Sequence, residues 1–395
     1  MNPRQRSSIQ LTFLSLVLAA TLGMSQMSLA SDAPCATPKL LADGLQVTSA
    51  QAAGFDATSL CAQLTGAAVG TQNVHSVIVE RSGKLLAEMY RTGPDISIRS
   101  MYGLWRPFPS NVAFGPASVH DARSISKSVV GLLIGIALEQ GKIKTLATPV
   151  LDFYPELSRL RTPERNAITI EHLLTMTSGM QWDEASLPND ETRLFWKRSL
   201  AEFVLDRPLV DIPGQRFRYN SGGTAVLADI LVRTTGASLK TLARTQLFEP
   251  LGITDWEWVA DFHNRELAFT GLRMRPRDMV KLGRMALNRG QWQGRQIVPA
   301  QWIAASTRGQ IATGFPSRLG PAGPTHYGYQ WRVGSVDWKG KPMAWAAAFG
   351  NGGQRIFMVP ELDLIIVVTA GDYESEAIAV HVNQLFARVV AAVRD

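Results

Sequence analysis

Cysteine is nearly missing from this chain. Its 395 residues include two, Cys35 and Cys61, too few for a zinc cluster and in no redox spacing. The six histidines (75, 120, 172, 263, 326 and 381) form no H-E-x-x-H pattern, so no dedicated metal site is expected. There is no G-x-S-x-G elbow, no phosphate-cradling G-x-x-x-x-G-K-[ST] and no dinucleotide fingerprint followed by a suitable acid. These absences argue against a standard α/β-hydrolase triad, a nucleotide-binding loop and a bound cofactor. The formal charge is +7, two units of it from Arg4 and Arg6, but the basic residues are scattered without a run of five or six. Such a surface gives nucleic acid no footprint. Beyond the N-terminus no stretch is long and apolar enough to be a transmembrane helix.

The N-terminus does carry an apolar run. Arg4 and Arg6 precede "LTFLSLVLAATLGM", and "SLA" at 28–30 offers small residues for cleavage. This three-part layout predicts a signal peptide over 1–30, hence a periplasmic or secreted protein with no membrane span after cleavage. In that oxidising setting Cys35 and Cys61 are expected to form a disulfide. About 365 residues remain, enough for one large domain over 31–395.

"VHSVIVERSGKLLAEMY" at 74–90 reads as two strands around Ser82-Gly83, and a long Gly/Pro-rich connection over 91–122 follows. That connection runs into Ser124 and is expected to form part of a cleft wall. From 124 to about 310 the chain is mainly helical. Thr169 is a candidate N-cap with Gly179 as the stop, and Gly236 closes a second helix. Residues 353–371 read as two strands joined at 360–363, before a last helix over 375–392. Segregated runs of this kind predict an α+β fold. An antiparallel sheet is expected from the terminal parts (about 70–123 and 320–395), flanked by helices, with the helical part (124–310) inserted.

The segment "HDARSISKSVVGLLIGIALEQG" (120–141) is apolar most of the way round, as in a buried helix, yet it opens with Ser124, Ser126 and Lys127. Ser124 and Lys127 are spaced i, i+3 and rise from one helix face. An alcohol needs a base to become a nucleophile, and a desolvated lysine is expected to favour its neutral amine. Ser124 at the helix head also offers its N–H to a developing anion. About one S-x-x-K match is expected by chance in a chain this long, so the motif alone decides nothing. Tyr219, in "PGQRFRYNSGG", could pass the proton to a leaving group or could be a core tyrosine. Gly350-Asn351-Gly352-Gly353 could let backbone approach a ligand, or could be a plain hairpin turn. Trp182, Tyr329 and Trp331 could line a cleft or pack in the core.

Together, "RSISKSVVGLLIGIALEQGKI", "ITIEHLLTMTSGM", "PGQRFRYNSGGTAVLADIL" and "GNGGQRIFMVPELDLIIVV", in this order, resemble the serine β-lactamase-like superfamily. That superfamily includes class C β-lactamases, penicillin-binding DD-peptidases, esterases and 6-aminohexanoate-dimer hydrolases. The resemblance covers roughly residues 70–390 and implies a sheet domain beside a helical domain, with the cleft between them. It implies Ser124 as acylated nucleophile, Lys127 as base and Tyr219 as proton shuttle, with an oxyanion held by the N–H groups of Ser124 and Asn351. Two departures matter. Tyr-x-Asn becomes Tyr219-Asn220-Ser221, putting a hydroxyl, Ser221, where a substrate-binding amide is usual. The Lys/His-Thr-Gly motif becomes "WAAAFGNGG", with no cation for a substrate carboxylate. Both look closer to the 6-aminohexanoate-dimer hydrolase and esterase branch.

The expected function is an exported serine hydrolase acting on a small-molecule amide or ester. A true β-lactamase or DD-peptidase would need a cation near 345–349 from elsewhere, for example an arginine of the helical part. A non-catalytic penicillin-binding sensor or scaffold is the reading from outside the enzymes.

Overall fold

The computed structural model describes residues 35–99, 109–186, 189–314 and 319–394. The predicted signal peptide and part of the 91–122 connection lie outside the described residues. No helix among the described residues is long and apolar enough to cross a membrane.

Nine strands form one sheet: β1 Gln46–Val47, β2 Val74–Arg81, β3 Lys84–Tyr90, β4 Ile311–Ala312, β5 Pro324–Tyr327, β6 Arg332–Trp338, β7 Lys341–Gly350, β8 Gln354–Val359 and β9 Leu364–Ala370. Their order is β1-β3-β2-β9-β8-β7-β6-β5-β4. The early hairpin β2–β3 therefore meets the late hairpin β8–β9 edge to edge, with Ile78 opposite Val367 in an antiparallel ladder. Only β1 runs parallel to its neighbour. Five longer helices accompany the sheet: α1 Ala57–Val69, α2 Ile125–Glu139, α3 Ser221–Thr235, α4 Pro276–Leu287 and α5 Glu376–Ala391. The α+β expectation holds.

Local chemistry explains the hairpins. Ser82 and Gly83 both take positive φ, 54° and 81°, the two-residue turn whose twist matches the strands it joins. Between β8 and β9, Pro360–Leu362 make a short turn that Asp363 closes at φ 47°. The helix capped by Thr169 ends at Leu174, before Gly179, because Met176 turns left-handed.

Alternation along the central strands divides the core into two layers. Ile78, Ile356, Met358, Ile365 and Val367 face the helical part, and α4 packs on that face. Val77, Val79, Phe357, Val359, Ile366 and Val368 face Leu60 and Leu64 of α1 and Ile378, Val382 and Phe386 of α5. Each such side chain contributes about 1.5–3 kcal/mol by leaving water. Cys35 is bonded to Cys61 of α1, with Cα atoms 4.9 Å apart. This cross-link closes a 26-residue separation. Its loss should lower stability by about 3 kcal/mol. Thermal unfolding with and without a reductant checks this, and an unchanged midpoint would count against it.

Candidate active site

Helix α2 is buried from Ile125 to Ala137, Lys127 included. Gly135 permits this, since a Cβ there would lie 2.2 Å from the Trp302 ring. The two hydroxyls at the helix head have separate tasks. Ser126 Oγ donates to Arg123 O at 2.6 Å and accepts from Leu272 N at 3.1 Å, fastening the first turn to a neighbouring strand. Ser124 Oγ makes no capping bond. It accepts from Lys127 Nζ at 2.9 Å. Lys127 does not reach for solvent: Nζ also donates to Phe269 O at 2.9 Å and lies 5.0 Å from the centre of the Tyr219 ring.

Burial is the largest influence on Lys127 and pulls its pKa down, but Tyr219, Glu191 and Glu184 outweigh it and the net direction is up. This corrects the expectation that burial leaves a neutral amine. These neighbours favour the ammonium over the free amine.

Ser124 and Tyr219 line a cleft of about 300 Å³ with Arg123, Glu184, Glu191, Arg332, Gly350 and Asn351. The strand end Gly350 lies directly on the segment that leads to Ser124, and a Cβ there would stand 2.3 Å from Ala122 O. Asn351-Gly352-Gly353 is both the β7–β8 hairpin turn and cleft wall. The Asn351 side chain is bonded to Glu374 through both its amide atoms, which turns it toward Glu374 and leaves its backbone N–H as the candidate oxyanion donor. Ser221 lies elsewhere than expected. It is fully buried at the head of α3, where its hydroxyl donates to Glu191 at 3.0 Å and its N–H to Glu184 at 2.8 Å. It positions carboxylates and is not part of the cleft lining. Trp182, Tyr329 and Trp331 are core residues. Trp182 Nε1 donates to Glu184 at 2.7 Å and Tyr329 OH to Glu171 at 2.6 Å. The described part of the 91–122 connection pairs Thr92–Asp95 with Ser110–Ala113 as a two-stranded ribbon.

Three features escaped the motifs. Glu184 and Glu191, the latter on the short helix Asp190–Leu194, approach Lys127, and the acid density of "DEASLPNDE" in the sequence was the available signal. Burial first, then Glu184, pushes Glu191 up to about 7. Arg332 on β6, in register with Ala347, brings a guanidinium to the cleft 5.2 Å from the Tyr219 ring centre. The cation comes from the sheet and not from the helical part. Arg123, beside Ser124, is left-handed at φ 52° and is held by Ile96 O at 2.9 Å and Asp121 at 3.1 Å. A non-glycine residue in this region stores about 1–3 kcal/mol of strain.

The Glu191 shift has a measurable consequence. The unfolded carboxyl ionises near its ordinary value of 4.5, the folded one near 7. Between these values the folded state holds the extra proton, so this group's contribution to stability falls as pH rises. Glu191→Gln removes the titration. The variant's melting temperature should gain on wild type as pH rises from about 5 to 8. A pH-independent difference would refute the shift.

A serine hydroxyl and a lysine ammonium a turn apart, opening into a cleft between sheet and helices, define a serine-hydrolase type of site. The Beta-lactamase family model matches residues 63–386, and the chain belongs to that family, whose type is the serine β-lactamase-like hydrolase. The chain is 25% identical over 308 residues to a 6-aminohexanoate-dimer hydrolase of Paenarthrobacter ureafaciens, covering 73% of this chain and 70% of that protein. It is 29% identical over 225 residues to esterase EstB of Burkholderia gladioli, covering 52% and 53%. A penicillin-binding-protein homologue from Caulobacter crescentus shares the fold at a TM-score of 0.61, with 17% identity over 85% of this chain and 96% of that one.

Proposed function

We propose that the protein is an exported hydrolase that cleaves a small amide or ester through an acyl-enzyme on Ser124. The observation carrying this is the 2.9 Å contact of Lys127 Nζ with Ser124 Oγ at the mouth of the shared cleft. For Lys127 to take the Ser124 proton it must first release one, and Tyr219, lying against it and lining the cleft, relays that proton to cleft water. Ser124 Oγ then adds to the carbonyl, and the N–H groups of Ser124 and Asn351 hold the oxyanion. Collapse breaks the bond to the leaving nitrogen or oxygen, which takes its proton through Tyr219. Water releases the acyl group by the reverse sequence. Relatives named as an esterase and as a hydrolase of an amide-linked dimer support the substrate class. The basic-apolar-small layout of residues 1–30 and the Cys35–Cys61 bond support export to an oxidising compartment.

Arg332 favours a second reading, cleavage of a β-lactam or acyl-D-alanine peptide, because it offers the cation that "WAAAFGNGG" lacks. One experiment addresses both. The mature protein and its Ser124→Ala variant are treated with a fluorophosphonate probe, a short p-nitrophenyl ester and a penicillin, with mass and product followed. The expected result is one adduct on Ser124, absent from the variant, with ester turnover. Rapid penicillin turnover would favour the second reading, and a stable acyl adduct without product would mean a sensor. Labelling that survives Ser124→Ala would end the proposal.

A further inference from the structure

Beside the segment that leads to Ser124, two buried histidines face each other. His75 Nδ1 lies 2.8 Å from His120 Nε2. Neither His75 on β2 nor His120, four residues before Ser124, has a role in the chemistry above.

The protons on these rings can be assigned from their partners. Asn73 Nδ2 donates to Pro94 O at 2.6 Å, which orients the amide so that its Oδ1 faces His75 Nε2 at 2.9 Å. Pro94 O lies 3.1 Å from the same nitrogen. His75 Nε2 thus sees only acceptors and carries the hydrogen. His120 Nδ1 lies 3.0 Å from Asp121 O, another acceptor, and also carries its hydrogen. A neutral imidazole has one N–H. Both are spent on the far sides, so the two nitrogens that face each other present lone pairs. At 2.8 Å that arrangement requires a cation between them.

The cation is either a proton or a metal ion. The surroundings favour the metal. Asp95 brings a carboxylate oxygen within 4.8 Å of a ring nitrogen of each histidine, and all three residues are buried. Tyr373 OH donates to Asp95 Oδ1 at 2.7 Å, fixing the carboxylate. Phe114 stacks on His75 with ring centres 4.1 Å apart and covers its face. Ring nitrogens aimed inward, with the opposite N–H of each ring on a carbonyl oxygen, are the orientation that protein metal sites use.

The geometry points to a divalent transition-metal site made by His75 Nδ1, His120 Nε2 and Asp95. Imidazole and carboxylate donors suit Zn²⁺ or Co²⁺. Metal–nitrogen bonds of about 2.0–2.1 Å need the two nitrogens to part by about 0.5 Å, a small ring rotation. Because the donors are buried, the ion is structural. It clamps β2 and the Thr92–Asp95 strand to the strand that delivers the nucleophile. Spacing could not reveal it, since the donors come from three separate segments.

The test reads metal, not activity, and so stands apart from the hydrolase proposal. The mature, untagged protein is stripped with a chelator and titrated with Co²⁺ and with Zn²⁺, followed by visible spectroscopy and elemental analysis. One equivalent is expected, with the visible bands of a low-coordinate Co²⁺ site, lost in His75→Gln and His120→Gln. Tyr373→Phe leaves all three donors in place. It should still fold and should bind about ten-fold more weakly, because it loosens only the Asp95 support. Absence of stoichiometric uptake would overturn the proposal. So would uptake of equal strength in all three variants, or ¹⁵N spectra showing one proton shared between the two nitrogens in metal-saturated buffer.

Discussion

Lys127→Met is expected to lower kcat/KM on an ester substrate by about 10²–10⁴-fold, the range that losing a positioned base implies. Methionine keeps the length and the apolar stem, so the packing of α2 survives. It loses the donor that reaches Ser124 Oγ and Phe269 O. It also strips Glu184 and Glu191 of their nearby cation, which drives Glu191 further up and keeps it protonated. The unpaired Phe269 carbonyl should cost about 1–3 kcal/mol. The fall should lie in acylation, so a rapid-mixing trace should lose any burst of product. A variant that keeps more than about a tenth of wild-type activity would remove Lys127 from the role of base.

Gly350→Ala is expected to lower kcat by about 100-fold, the scale of a misplacement of roughly 1 Å. The added methyl would stand 2.3 Å from Ala122 O and 2.9 Å from Gln354 Cβ. The first of these is backbone, tied through Ala122 N to Leu272 O at 2.9 Å, so it cannot swing aside. Either β7 or the segment carrying Ser124 must move, and the cleft widens between nucleophile and oxyanion donors. Overpacking of this kind costs about 1–3 kcal/mol in stability as well. Gly66→Ala in α1 is the control: nothing lies within 4 Å of its added methyl. That change should be neutral, or stabilising by up to about 1 kcal/mol. Equal activity in the two variants would show that the contact of β7 with Ala122 does not shape the site.

Much of this was readable without coordinates, and the reason is locality. The i, i+3 spacing of Ser124 and Lys127 sets them a turn apart on any helix, and the apolar surround of 129–138 requires that helix to be buried. The hairpins at Ser82-Gly83 and Pro360–Asp363 follow from turn chemistry. The closing of early and late hairpins into one sheet follows from their need to cover each other's edges. The state of Lys127 was not readable in this way. Burial by itself predicts a neutral amine, and the sign reverses because Tyr219 and then carboxylates some sixty residues away fold onto it. Ser221 likewise reads as a substrate group in its motif, and becomes a support for Glu191 only once the acidic loop folds over α3.

The i, i+3 placing of Ser124 and Lys127, the α+β layering and the two faces of the sheet were already present in the sequence, because each rests on periodicity within a single element. Tertiary structure alone decided which charges fill the cleft. Arg332 arrives through the register of β6 with β7, Glu184 through a loop and Glu191 on the short helix Asp190–Leu194, while away from the cleft three segments bring His75, Asp95 and His120 to one point. Electrostatic interactions act through space at distances set by packing, so no spacing along the chain encodes them.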